Sequence, residues 1–274
     1  MKDDKTIFLS IIEKNLSKLF SLKNRTAIVT GAASGLGKRI ATTLTAVGAN
    51  VYFADMNKDG ITAAIEEVRT LCAFDANELL INVTDPKSVE SAFTEVKEKN
   101  GRLDILINGA GTSGSTRIEE MNLDLWNRVL SVNLTGTFLC CKEAVKLMVP
   151  NRWGRIISIA SIAGTHVPRP ERFKGGYNYS ASKAGVIGLT LRLAAELAPH
   201  NITANAISPG FMRSPLTERA FSEDHTLKQT IEATPLGRLG LPSDLDGLVV
   251  YLCSVSSEFL TGQDIIIDGG YSIW

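Results

Sequence analysis

What this chain has little of narrows its function first. Its 274 residues include only four cysteines and three histidines. Cys72, Cys140, Cys141 and Cys253 show no CxxC spacing, and the adjacent pair falls inside a predicted helix, where a mutual disulfide would be strained. They read as small apolar fillers. His166, His200 and His225 are scattered, none with a second ligand at metal spacing, so no metal is expected. Excess charge of either sign is missing too. The 29 basic and 29 acidic side chains leave no electrostatic footprint for nucleic acid or an anionic membrane. Long apolar runs are also lacking: Gly247 to Cys253 is far shorter than a bilayer requires. The N-terminal MKDDKTIFLSIIEKNLSKLF places acids before its apolar run and has no small-residue cleavage site, which argues against a secretory signal. The expectation is a cytoplasmic protein whose partner is a small molecule or another copy of itself, with no nucleic-acid or membrane partner.

The length suits one domain with one sizeable core. Residues 1–24 read as an N-terminal helical extension, because Ile7, Leu9, Ile11, Ile12, Leu16 and Leu19 recur at helical steps from Thr6 to Leu19. From Arg25 onward, short β-rich apolar runs alternate with helical segments, the signature of a parallel sheet with crossover helices. Strands are predicted at Thr26–Thr30, Asn50–Asp55, Glu78–Val83, Asp104–Asn108, Arg155–Ile159, Thr203–Ile207 and Asp264–Ile267. Helices are predicted at Leu36–Val47, Asp59–Leu71, Lys87–Lys99, Asn122–Met148, Tyr177–Ala198 and Ser243–Ser254. Met212 to Gly237 is the one long polar stretch between elements and a candidate lid. No internal repeat or low-complexity run is present.

After the first strand comes Gly31-Ala32-Ala33-Ser34-Gly35-Leu36-Gly37, a GxxxGxG turn opening a helix. Glycines there let backbone approach a pyrophosphate lying on the helix N-terminus. Asp55 ends the second strand, roughly twenty residues on, where a carboxylate accepts hydrogen bonds from an adenosine ribose and repels a ribose phosphate. With Ser34 in the loop and Met56 after Asp55, neither basic, NAD is favoured over NADP. These features point to an α/β, doubly wound, Rossmann-type sheet of seven parallel strands with helices on both faces, one domain spanning 25–274. Further along, Tyr179 and Lys183 lie four apart on one helix face, placing an ammonium beside a phenol. A phenol titrates near 10, and lowering it by about three units takes roughly 4 kcal/mol of interaction.

The stretch from Leu22 to the C-terminus resembles the short-chain dehydrogenase/reductase family. The glycine turn is similar to that family's TGxxxGxG. Asn108-Gly109-Ala110-Gly111 resembles its NNAG, with Gly109 replacing the second Asn. Asn133 lies in VNLTGTF, Ser161 follows GRIISIA, Tyr179 and Lys183 sit in YSASK, and Pro209, Gly210, Met212 and Ser214 resemble PGxIxT. The segments PLGRLGLPSDL and TGQDIIIDGG match the family's close. Asn82-Val83 replaces the usual Asp-hydrophobic adenine contact, and the 18-residue interval from Ser161 to Tyr179 is long for the family.

The resemblance implies that Tyr179 is the general acid and base of hydride transfer between a secondary alcohol and a ketone. It implies that Lys183 lowers the Tyr179 pKa and holds the nicotinamide ribose, that Ser161 polarises the substrate oxygen, and that Asn133 holds a water leading to Lys183. Gly31, Ser34, Gly35, Leu36, Gly37, Asp55, Met56, Asn82, Val83, Asn108, Gly109, Ala110, Gly111, Tyr179, Lys183, Pro209, Gly210, Met212 and Ser214 would meet the cofactor, and the assembly would be a homotetramer. On chemistry alone Ser161 can instead cap a turn, Asn133 can be a structural amide, and Asn108 to Gly111 can be a plain strand-to-loop turn. Tyr177 lacks a cation four residues on and is expected at the pocket mouth. Arg169, Arg172, Lys174 and Arg213 are candidate contacts for a carboxylated substrate. The alternatives are a 3-oxoacyl thioester reductase using NADPH, or an NAD-sensing scaffold without turnover.

Overall fold

A computed structural model describes residues 18–71, 76–167, 175–218, 221 and 224–273. Most of the predicted Thr6–Leu19 helix lies outside the described residues; Lys18 and Leu19 are helical. Cys72 and the loop cations Arg169, Arg172 and Lys174 also lie outside them.

Elements in chain order are β1 (Thr26–Thr30), α1 (Gly35–Ala46), β2 (Asn50–Asp55), α2 (Lys58–Leu71), β3 (Asn77–Leu80), α3 (Pro86–Asn100) and β4 (Ile105–Asn108). Then follow α4 (Leu123–Leu130), a π-helical turn (Ser131–Thr135), α5 (Gly136–Asn151), β5 (Gly154–Ile159), α6 (Tyr177–Leu197) and β6 (Ile202–Pro209). The chain closes with α7 (Pro215–Glu218), α8 (Asp224–Glu232), α9 (Asp246–Cys253) and β7 (Asp264–Ile267). Among the described residues the strands form one parallel sheet in the order β3-β2-β1-β4-β5-β6-β7. Every residue of β1, β4, β5 and β6 is buried, as expected of central strands covered by helices on both faces.

The period of two along each strand divides the core between those faces. Ala27 and Val29 of β1 join Ile40 and Leu44 of α1, Ile61 and Ile65 of α2 and Val249 of α9. Ile28, between them in sequence, joins Phe93 and Val96 of α3, Cys140, Cys141 and Ala144 of α5 and Ala194 of α6 on the other. Cys140, Cys141 and Cys253 are buried free thiols. Helix starts follow capping chemistry where it is available: Asp85 accepts from Lys87 N at 3.0 Å with Pro86 at the first helical position.

The strand order reverses between β1 and β4, and that opening at the carboxyl edge is where ligands sit in such sheets. At the opposite edge the carboxylate of Asp104, 1% exposed, accepts from Arg25 Nη1 at 3.0 Å, Arg102 Nε at 2.9 Å and Thr26 N at 2.9 Å. Arg25 stacks 3.6 Å above the Trp153 ring.

Three predicted boundaries move for local reasons. The third strand ends at Leu80 rather than Val83 because the Asn82 carboxamide oxygen turns the chain out of the sheet, accepting from Thr84 N at 3.1 Å and Thr84 Oγ1 at 2.8 Å. The predicted helix Asn122–Met148 is interrupted by the π turn around Asn133. The predicted lid Met212–Gly237 carries α7 and α8 instead of running as open loop. Among the described residues no helix is long and apolar enough to cross a membrane, and no cluster of His, Cys, Asp or Glu is placed to hold a metal ion.

Candidate active site

A cleft of about 880 Å³ opens at the switch between β1 and β4. One end is built from the turn after β1. Gly31 has φ +71°, and a Cβ there would stand 2.8 Å from Ala110 N and Cα. A Cβ on Gly37 would stand 2.2 Å from Gly31 O. Both positions therefore need glycine, and the turn is pulled hard against the loop after β4. Ser34 precedes α1 without using its hydroxyl as a cap. Ser34, Gly35, Leu36 and Gly37 line the cleft, and the first-turn N–H groups have no acceptor within the helix. This is a cradle for an anion.

Asp55 stands at the end of β2, its carboxylate accepting from Ala33 N at 3.2 Å and Asn57 N at 3.0 Å. Met56 beside it is 72% exposed. Ile81, Asn82 and Val83 complete this end. The Asn82 oxygen is already engaged by Thr84, which leaves its NH2 group as the free side-chain donor.

The other end is built from α6 and the turn after β5. Ser161, Tyr179 and Lys183 line the same cleft. Ser161 caps the turn Ile162–Gly164 by accepting from Ala163 N at 3.1 Å. Lys183 is 5% exposed and donates from Nζ to Ile159 O at 2.6 Å, with the Tyr179 ring centroid 5.6 Å away.

The spacing of Tyr179 and Lys183 predicts a phenol held below its ordinary range. In the chain alone the order is reversed. Burial pushes the Tyr179 phenol up, the Ser161 hydroxyl pulling it partly back, and burial pushes the Lys183 ammonium down to about 8. A dry site penalises each charge by itself. Attraction between ammonium and phenolate acts only when both are ionised.

Two predicted residues stand elsewhere. Asn108, 3% exposed, is not among the cleft-lining residues; its amide donates inward to Ser158 Oγ at 3.2 Å and Cys141 Sγ at 3.3 Å. At a strand end the side chain alternates faces, and Asn108 takes the core side. Asn133, 1% exposed, is also off the wall. Its oxygen accepts from Thr112 N at 2.8 Å, and its amide donates to Thr112 O at 3.0 Å and Ser182 Oγ at 2.9 Å. It fastens the loop after β4.

Gly109, Ala110, Gly111, Pro209, Gly210, Met212 and Ser214 do line the cleft. Gly109 N and Ala110 N both donate to Thr30 Oγ1, at 3.1 and 3.2 Å. Ser214 Oγ lies 3.1 Å from Thr217 Oγ1. Tyr177 is 42% exposed and not part of the described lining. Arg213 borders a neighbouring groove behind α7 instead. Besides Lys183, the basic group on the described cleft wall is Arg128, whose guanidinium lies over Gly114. Neither the glycine nor the arginine belongs to a motif that spacing would single out.

Known proteins share the sequence pattern and the fold. A family model described as enoyl-(acyl carrier protein) reductase matches residues 31–272. The 3-oxoacyl-(acyl-carrier-protein) reductase of Aquifex aeolicus is 35% identical over 252 residues, covering 91% of this chain and 98% of that protein. The chain belongs to the short-chain dehydrogenase/reductase family. It is thus an oxidoreductase by family, with the fold that family shares. Two solved structures of members carry a dinucleotide. A gluconate 5-dehydrogenase from Burkholderia cenocepacia, in complex with NADP and tartrate, has TM-score 0.88 and 28% identity, over 94% of this chain and 99% of that one. A putative 2-deoxy-D-gluconate 3-dehydrogenase from Agrobacterium tumefaciens with bound NADP has TM-score 0.83 and 32% identity, over 93% and 99%.

Proposed function

We propose that the protein interconverts a secondary alcohol and a ketone by hydride transfer with NAD(H), with Tyr179 as general acid and base. The observation that carries this is the sharing of one cleft by the glycine cradle, Asp55 and the Ser161, Tyr179 and Lys183 group. A nicotinamide dinucleotide fits the residues present, because the crowded Gly31 and Gly37 leave backbone rather than side chains facing it. Bound there, it supplies the hydride acceptor or donor and, when oxidised, a positively charged ring.

The chain's own groups do the rest. The Ser161 hydroxyl and the phenol converge on a substrate oxygen, and Tyr179 gives that oxygen a proton during reduction or removes one during oxidation. A donor such as Ser161 contributes about 3 kcal/mol in a site without water. Lys183, fixed by Ile159 O, stabilises the phenolate as it forms. Asn133 serves this reading through the Thr112 loop, which its side chain fastens, while its oxygen keeps a second lone pair for a water.

Asp55 supports NAD over NADP. A ribose phosphate placed about 4 Å from its carboxylate meets a repulsion of about 1 kcal/mol in bulk water and about 4 kcal/mol at an effective dielectric of 20. The NADP in the two neighbouring structures belongs to those proteins.

For the substrate, a hydroxy acid of the sugar-acid kind is supported by Arg128 on the cleft wall and by the gluconate dehydrogenases among the neighbours. A 3-oxoacyl thioester is the second reading, supported by the 35% identity to the Aquifex reductase. Turnover assays with NAD(H) and NADP(H) against both substrate classes separate them. Carboxylated polyols are expected to react and 3-oxoacyl thioesters to react poorly; the opposite ranking overturns the first choice. Assembly as a homotetramer is part of the proposal, supported by the exposed Phe138 on α5 and Leu191 on α6, and light scattering after size exclusion reads the mass.

A further inference from the structure

Ser182, the residue just before Lys183, is fully buried, and its hydroxyl joins three elements that the chemistry needs in register. It accepts from Asn133 Nδ2 at 2.9 Å and donates to Tyr179 O at 2.7 Å. Asn133 in turn grips both main-chain groups of Thr112, which lines the cleft. The path therefore runs from the cleft loop after β4, through the π turn, to the turn of α6 that carries the phenol.

We infer that Ser182 is a positioning residue, which acts through Asn133 to hold the Thr112 loop against the catalytic turn of α6; the inference rests on the functional reading above. The position demands a group that accepts and donates at once. A hydroxyl does both, alanine does neither, and a carboxylate only accepts. The Asn133 carboxamide has a planar, directional amide, so the acceptor at Ser182 fixes which way it faces. With that acceptor gone, Asn133 keeps one partner for Nδ2 and gains freedom to turn, and both Thr112 contacts loosen with it. The Tyr179 carbonyl keeps its ordinary helical partner, so the fold itself does not depend on the bond.

The test is Ser182→Ala, which raises helix propensity and so keeps α6 formed, read by hydrogen exchange on peptides covering Thr112 and by steady-state kinetics. Exchange at Thr112 is expected to quicken about tenfold and kcat to fall about tenfold, each reflecting one lost buried hydrogen bond. The KM for the cofactor should stay within about twofold, because the cradle at Gly31 to Gly37 is untouched. Ser182→Cys, of similar size with a weaker donor, should fall between, and it carries the same readouts if the alanine variant does not fold. In combination with Asn133→Ala, Ser182→Ala should add no further loss, since both act on one path.

Unchanged Thr112 exchange, or losses in the double variant that simply multiply, would overturn the inference. If the wild type turns over no alcohol or ketone while Thr112 exchange still rises in Ser182→Ala, the functional reading fails and the positioning role stands.

Discussion

Lys183 gives the sharpest test of the site's electrostatics, because its ammonium is buried and donates to a carbonyl, that of Ile159. Burial brings its pKa from 10.5 to about 8. The folded protein then holds fewer protons than the unfolded chain between those values, so stability rises with pH across that window. Below about pH 8 the full cost of the buried charge is present, about 3 kcal/mol at 1.36 kcal/mol per pKa unit; above 10.5 it is gone. Lys183→Met removes the charge and keeps the stem. It also leaves Ile159 O without the ammonium, a loss of about 1–3 kcal/mol that does not vary with pH. The informative quantity is therefore the change with pH in the stability difference between wild type and variant. From pH 7 to pH 10 wild type should gain about 2–3 kcal/mol on Lys183→Met, measured by urea unfolding at each pH. A difference that stays flat across this range would refute the placement of a buried, charged Lys183, and with it the source of the field at Tyr179.

The other predictions address the cofactor end, the proton path and the far edge of the sheet. Asp55→Ser should raise kcat/KM with NADP relative to NAD by about fivefold to a thousandfold, as a repulsion of about 1–4 kcal/mol is removed; an unchanged ratio assigns the preference elsewhere. A Cβ on Gly111 would lie 3.7 Å from Asn133 Oδ1 and 3.8 Å from Lys183 Nζ, ordinary contact distances. Gly111→Ala should accordingly fold normally while filling the space a water would use between those groups, lowering kcat with little change in thermal stability; unaltered kcat argues against a water path there. Asp104→Asn leaves two part-exposed arginines short of their buried carboxylate and should cost about 1–3 kcal/mol of stability, read by denaturant unfolding, with KM for the cofactor unchanged because the ligand edge is opposite.

The strands were legible because buried parallel strands read as short apolar runs, as in Thr26-Ala-Ile-Val-Thr30 and Ile105-Leu-Ile-Asn108. The glycine cradle, Asp55 and the Ser161, Tyr179 and Lys183 group were legible because each has a chemical reason for its spacing. Side-chain direction was not. Asn108 and Asn133 both sit in recognisable motifs, yet one turns toward Ser158 and the other toward Thr112. Those directions depend on which face of β4 meets α5 and on a π turn at Ser131–Thr135 that no residue pattern marks. The sign of the Tyr179 shift was missed for a related reason: sequence spacing shows the neighbouring cation but not the depth at which both groups are buried. Ser182 escaped notice as a spacer within YSASK, although a hydroxyl one residue before a buried lysine is a signal that can be looked for.

The central claim is that the Tyr179 hydroxyl exchanges the proton that accompanies hydride transfer in this cleft. The direct measurement compares wild type with Tyr179→Phe, following absorbance of the reduced cofactor with a reactive alcohol or ketone and cofactor affinity by titration. A fall in kcat of about a hundredfold to ten-thousandfold with cofactor affinity retained is the predicted result, and full activity in Tyr179→Phe would contradict it.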